Sequence, residues 1–143
     1  MLDCNTLIKE VELLIPHRDP FLYLDKIISL SKEKIMGETI FHCSDGFLSG
    51  SFPEFNYVPG VILIEAMAQC GGAGIKKLGL ADGLFGLANI ESAAFYKGVE
   101  YGATFEMEIK NVKISEKYIK QQGTGSVHGE KCMELSWLCV KLQ

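Results

Sequence analysis

The sequence predicts an α+β fold in which one long helix is enclosed by an antiparallel sheet. A nearly continuous apolar segment runs from Gly60 to about Leu78, with Pro59 suited to the helix entry and Gly79 to its exit. A helix that is apolar almost all the way round is normally surrounded by other structure. Two segments with strand character precede it and four follow it, which predicts a single sheet around one central helix.

The first elements predicted are a short helix and a pair of strands. Apolar residues recur at helical spacing over residues 5–14, with Asn5 as a possible N-cap and Pro16 as the stop. Residues 21–41 are predicted to form two strands joined by a short turn. Residues 45–59 contain several glycines and prolines and are expected to form a loop.

Four strands are predicted after the long helix, near residues 84–97, 103–114, 118–128 and 131–142. Apolar and polar residues alternate from Thr104 to Lys110, which is the period of a half-buried strand. The alternation changes phase at Val112, which indicates a bulge. The sequence His128-Gly129-Glu130 predicts a hairpin turn.

Composition indicates one globular domain spanning residues 1–143. Hydrophobic residues make up 48% and charged residues 22% of the chain, and the net charge is −4. That charge gives no reason to expect binding to nucleic acid or to an anionic membrane. No segment has the length and apolarity of a membrane span or the pattern of a signal peptide, so a cytoplasmic protein is expected.

The cysteines give no pattern of a metal site or a disulfide framework. They are five in number and widely spaced, without a Cys-x-x-Cys pair. We expect buried, reduced thiols and no bound metal.

Glu65 is the only charged residue between Gly60 and Lys76. A carboxylate in such a segment has to be paired, neutralised or turned toward a cavity, because burying it alone is costly. Gln69 lies one turn later on the same helix face and is placed to hydrogen-bond to it. From these residues alone, Glu65 is either a functional acid or a structural carboxylate.

Two motifs resemble a known family. Residues 15–21 read Ile-Pro-His-Arg-Asp-Pro-Phe and are followed by Leu-Asp-Lys at 24–26. Residues 50–53 read Gly-Ser-Phe-Pro, and residues 59–69 read Pro-Gly-Val-Ile-Leu-Ile-Glu-Ala-Met-Ala-Gln. Both resemble motifs of the 3-hydroxyacyl-acyl-carrier-protein dehydratases. The resemblance implies a hotdog fold, a long central helix wrapped by a curved antiparallel sheet.

The resemblance also implies an activity and an assembly. Family members eliminate water from (3R)-hydroxyacyl thioesters to give trans-2-enoyl thioesters, in fatty-acid or polyene biosynthesis. They work without a cofactor, as dimers or hexamers, at sites between subunits. The acyl chain, held on phosphopantetheine of acyl carrier protein or on coenzyme A, enters a narrow tunnel. By position, the tunnel would be lined by Phe52, Pro59, Val61, Gln69 and Phe95.

Three site roles carry over by position. Glu65 would be the acid that protonates the departing hydroxyl, and the backbone amide of Gly60 would polarise the thioester carbonyl. The family base is a histidine in a Gly-His-Phe-Pro loop, and Ser51 stands there in this chain. Loss of a positioned base typically costs about 10²–10⁴ in rate, so impaired stand-alone activity is expected. His42, in the preceding strand, is a less favoured substitute base, and His17 is expected to be structural.

Contacts to the carrier protein are expected at Arg18 and Lys97. Family members often carry several basic residues near the tunnel mouth, whereas residues 91–97 of this chain retain only Lys97. Steering of an acidic carrier protein is therefore expected to be weaker.

Three hypotheses remain open from the sequence. The first is a dehydratase with a relocated base. The second is a non-catalytic or half-catalytic subunit that pairs with a histidine-bearing hotdog paralogue. The third is a hotdog acyl thioesterase that uses Glu65 to position water or as a nucleophile.

Overall fold

The computed structural model describes residues 3–46, 48 and 50–143 of the chain. A first helix, α1, spans Cys4–Glu12 and is capped by Asp3, whose side chain accepts a hydrogen bond from the backbone N–H of Thr6 at 2.8 Å. The expected Asn5 cap is therefore wrong. Asn5 already lies in the first turn, and the carboxylate two residues earlier reaches the free amide.

Strands β1 (Lys26–Leu30) and β2 (Lys34–Ile40) pair antiparallel. They are shorter than predicted, because residues 21–25 lie outside the strands. In that segment the backbone N–H of Tyr23 and the carbonyl of Phe21 bond to the side chain of Gln69. A helix side chain thus takes the hydrogen bonds that a longer strand would have used.

The long helix, α2, spans Gly60–Leu78, with Pro59 as N-cap and Gly79 as C-cap. Gly79 has φ 68°, the left-handed conformation that glycine adopts without strain. Both predicted ends are confirmed. Glycines inside the helix allow close approach to the sheet: a Cβ on Gly74 would stand 2.5 Å from Ile35, and one on Gly71 would overlap Gln121.

The remaining strands are β3 (Phe85–Phe95), β4 (Thr104–Ile114), β5 (Tyr118–Val127) and β6 (Glu130–Lys141). All six strands form one antiparallel sheet in the order β1-β2-β4-β5-β6-β3, so β1 and β3 are its edges. The predicted bulge appears as a register shift between Asn111 and Lys113. The predicted hairpin turn is also present, with positive φ at His128 and Gly129.

The core lies between α2 and one face of the sheet. The helix contacts all six strands, which is the curved α+β arrangement expected. The largest fully buried side chains of the core include Trp137, Phe105, Met67, Met107 and Met133. Burying an apolar side chain of this kind stabilises the fold by roughly 1.5–3 kcal/mol. Within the described ranges, neither helix has the length and apolarity needed to cross a membrane.

Candidate active site

Glu65 lies in the second turn of α2 and is half-buried, with 24% of its side chain exposed. Its Oε1 accepts a hydrogen bond from Nε2 of Gln69 at 3.2 Å, the contact that the one-turn spacing predicted. Nε2 of His17 lies 3.3 Å from the same oxygen. Two nitrogen groups therefore contact the same oxygen of the Glu65 carboxylate.

Gln69 fixes the segment that precedes β1. Its Oε1 accepts from the backbone N–H of Tyr23 at 2.7 Å, and its Nε2 donates to the carbonyl of Phe21 at 3.2 Å. The side chain is buried, with 2% exposed, so each of these bonds spares a buried polar group from being unsatisfied. Gln69 thus connects the acid of α2 to the N-terminal motif.

His17 reaches Glu65 because the N-terminal motif folds back over α2. Arg18 donates from Nη1 to the carbonyls of Ile15 and His17, which shapes this bend. The His17 ring also stacks on Phe21, with centroids 6.2 Å apart. Sequence reasoning assigned His17 a structural role and missed its contact with Glu65, because 48 residues separate the two positions.

Glu65, His17 and Gln69 line a cavity of about 190 Å³ between α2 and the β3 edge. The cavity is also lined by Phe85 and Leu87 of β3 and by Cys139 of β6. Burial, together with the charge of Glu65, raises the pKa of the Cys139 thiol to about 11. Burial also raises the pKa of Tyr23 to about 12, with a smaller contribution from Glu65. Lys76 also lines the cavity, and Glu65 is the one carboxylate among its described lining residues. The raised pKa makes the thiol of Cys139 a poor nucleophile near neutral pH.

The start of α2 lies beside apolar side chains. Pro59 makes no side-chain capping hydrogen bond, so the first amides of the helix remain available for an acceptor. The ring of Phe95 packs against Gly60, where an added Cβ would come within 3.0 Å of two ring carbons. Val61, Phe52 and Phe95 are 72%, 70% and 49% exposed in the single chain. Four of the residues predicted for the tunnel, including Pro59, thus lie at or near the helix start or on the loop that leads to it.

Comparison with known proteins identifies the family. The model of the FabA-like domain matches residues 15–136. The 3-hydroxyacyl-[acyl-carrier-protein] dehydratase FabZ of Solibacter usitatus is 34% identical over 134 residues, covering 92% of this chain and 83% of the relative. The FabZ of a Hydrogenobaculum species is 36% identical over 129 residues, covering 87% of each.

The chain belongs to the FabA-like family. Its fold is similar to that of the dehydratase heterocomplex ApeI:P from Xenorhabdus doucetiae, with a TM-score of 0.79 and 21% identity over 93% of this chain and 91% of that one. A hypothetical thioesterase from Streptococcus pneumoniae has the same fold at a TM-score of 0.65 and 12% identity, covering 96% of this chain and 95% of that one. At these identities the likeness concerns the fold alone.

Ser51, at the position that the family resemblance gives to the base, lies on the loop before α2. Its backbone N–H donates to the carbonyl of Leu48 at 3.1 Å, and the residue is partly buried. It does not line the cavity that contains Glu65. Among the described residues of this FabA-like chain, Ser51 is therefore not part of the cavity wall that carries Glu65.

His42 lies on a second, larger cavity of about 700 Å³, between α1 and the β1–β2 side of the sheet. Its backbone N–H donates to Oδ2 of Asp45 at 3.1 Å, and the residue is exposed. Glu65 does not line this cavity. The structure therefore separates His42 from the acid of its own chain.

The two basic residues predicted to contact a carrier protein both form ion pairs. Nε of Arg18 lies 3.2 Å from Oε2 of Glu12, and Nζ of Lys97 lies 2.6 Å from Oε2 of Glu130. The hydrogen bond and charge of Glu130 raise the pKa of Lys97. These pairs leave little net positive charge at either position.

Proposed function

We propose that this FabA-like chain takes part in dehydration of 3-hydroxyacyl thioesters, as the acid half of a hydro-lyase site. The main support is Glu65, which combines the family position of the acid with a cavity wall and two nitrogen partners on one oxygen. The curated relatives are named as dehydratases of acyl-carrier-protein substrates. They favour this function over the thioesterase alternative.

The reaction assigns one task to each group. The thioester carbonyl would accept a hydrogen bond from the amide of Gly60 at the positive end of α2, which stabilises charge that develops on its oxygen. A base removes the proton from Cα, the Cα–Cβ double bond forms and the C–O bond at Cβ breaks. Glu65 gives its proton to the departing hydroxyl, which leaves as water. No cofactor is required by this sequence of steps.

A group other than Ser51 has to act as the base. A serine hydroxyl does not accept a proton from carbon near neutral pH without a base of its own. We propose that a partner chain with a histidine in its loop faces Glu65, and that the second site of such a pair, which holds Ser51, is inactive. The heterocomplex of the ApeI:P dehydratase is a precedent for such pairing within this fold.

The exposed apolar residues at the helix start support a partner at this surface. Phe52, Val61 and Phe95 would be covered by a second hotdog chain, as a homodimer, heterodimer or hexamer. The substrate would be an acyl chain on acyl carrier protein or coenzyme A, in the cytoplasm. Fatty-acid and polyene biosynthesis both supply such thioesters.

A paired assay tests the function. Wild type, Ser51→His and a Ser51→Ala control are assayed on a short 3-hydroxyacyl thioester by formation of the conjugated enoyl product. Restoring a base should raise turnover of Ser51→His by about 10²–10⁴-fold, and Glu65→Gln in that background should remove the gain. Equal turnover in all three chains would contradict the proposed site.

Three further measurements separate the alternatives. Trace activity that persists in His42→Ala would exclude His42 as the base. Release of free thiol from a saturated acyl thioester, lost in Glu65→Gln, would support the thioesterase instead. Expression beside other hotdog chains of the same genome, followed by purification on a tag, tests the heterodimer directly.

A further inference from the structure

The pairing of Glu65 is one-sided. Both nitrogen groups, Nε2 of Gln69 at 3.2 Å and Nε2 of His17 at 3.3 Å, approach Oε1. Among the described residues, no hydrogen bond ends on Oε2. A carboxyl oxygen that accepts two N–H bonds has its lone pairs occupied, whereas the other oxygen keeps its capacity.

The surroundings of Nδ1 of His17 favour one tautomer of the imidazole ring. Nδ1 is buried and has no hydrogen-bond partner among the described residues. A proton on Nδ1 would be a buried donor without an acceptor, and in the doubly protonated ring it would carry part of a positive charge as well. The neutral ring with its proton on Nε2 avoids both costs and makes Nε2 a donor toward Glu65.

The ring itself is held from several sides. The ring stacks on Phe21, the backbone carbonyl of His17 accepts from Arg18, and Gln69 secures the following backbone through Tyr23. The orientation of Nε2 toward Glu65 is therefore set by packing and by main-chain hydrogen bonds. Such support for a reacting group is what keeps it within the narrow geometry that catalysis needs.

We propose that His17 is a positioning residue for Glu65: its neutral Nε2–H tautomer and the amide of Gln69 both donate to Oε1, so that the proton of the acid resides on Oε2. The inference rests on the proposed role of Glu65 as the acid. In the elimination, Oε2 then gives this proton to the hydroxyl as the C–O bond breaks. The negative charge left on the carboxylate is stabilised by the two N–H bonds to Oε1.

The tautomer can be measured without any turnover. The chain contains only three histidines, so the ring nitrogens of the ¹⁵N-labelled full-length protein can be assigned with His42→Asn and His128→Asn variants. Long-range ¹H–¹⁵N spectra at neutral pH should show His17 neutral with its proton on Nε2. A proton on Nδ1, or a doubly protonated ring, would overturn the proposal. This measurement stays decisive even if the proposed function fails.

The kinetic test compares two substitutions in the Ser51→His chain. His17→Leu removes the donor and should lower kcat by about tenfold or more with little change in KM, the loss expected for a hydrogen bond to a charged group. His17→Gln keeps an N–H donor and should recover most of that loss. Equal loss in both variants, or an effect on KM alone, would show that His17 serves only the local packing.

Discussion

At the scale of single residues, the site depends on how a few buried polar groups are satisfied. Gln69 uses both ends of its amide, accepting from Tyr23 and donating to Phe21 and Glu65. Its contact with Glu65 was predictable, since positions four apart on a helix are neighbours. Its backbone contacts were not, because no local pattern links Gln69 to a segment 46 residues earlier.

Replacing Gln69 with leucine should destabilise the fold. The N–H of Tyr23 and the carbonyl of Phe21 would lose their buried partner, and each unsatisfied group costs about 1–3 kcal/mol. Urea unfolding of Gln69→Leu should show a free energy of unfolding lower by roughly 2–4 kcal/mol. Gln122→Leu, at an exposed position of β5, is the control, and an equal loss in both would contradict this account.

The thiol of Cys139 should react slowly with alkylating reagents. Because its pKa is raised to about 11, little thiolate exists at mildly alkaline pH, and the reaction rate should keep rising as pH approaches that value. Exposed Cys4 and Cys43 serve as internal references in peptide mass spectrometry. Glu65→Gln removes a nearby negative charge and should lower the pKa of Cys139, which speeds its alkylation; an unchanged rate would argue against their proximity.

At the scale of elements, α2 is defined by its ends and by its glycines. Pro59 and Gly79 mark the ends in the sequence, and the structure places both as caps. The glycines lower helix propensity, yet the helix continues through them to Leu78. Sequence alone could not give the reason, which is the close contact of Gly74 with Ile35 on β2.

Two neighbouring glycines should respond oppositely to alanine. In Gly74→Ala the new Cβ would stand 2.5 Å from Ile35, and overpacking of this kind typically costs about 1–3 kcal/mol. In Gly72→Ala the new methyl meets nothing within 4 Å, so the helix should gain about 1 kcal/mol. Thermal unfolding of the two variants gives the sign of each change in stability. Stabilisation by Gly74→Ala would show that the helix stands further from the sheet.

At the scale of the whole molecule, the sequence was sufficient for the fold class and for the strand count, and insufficient for the site. Alternation along β4 and the change at Val112 predicted the strand and its bulge. The contact of His17 with Glu65 depends on how the N-terminal motif folds over α2, which no periodicity encodes. The groups of a second chain that would face Glu65 are even less predictable from one sequence.

The apolar surface at the start of α2 predicts self-association or pairing. Phe95→Asp places a charge against this surface and should convert the assembled protein to monomers or weaken its assembly strongly. Light scattering coupled to size-exclusion chromatography gives the mass of each species. Leu13→Asp, at an equally apolar and 83% exposed position beyond α1, is the control. An unchanged mass for Phe95→Asp would place the interface elsewhere.

The amide of Gln69 joins the N-terminal motif to the acid, and this has a consequence for shortened chains. A protein that begins at residue 24 would retain the residues of all six strands and of α2, including Glu65. It would lose the imidazole and the two main-chain anchors that hold Gln69 in place. Such a truncation would also remove the buried Val11, Ile15 and Tyr23, so the chain should lose stability together with the groups that orient its acid.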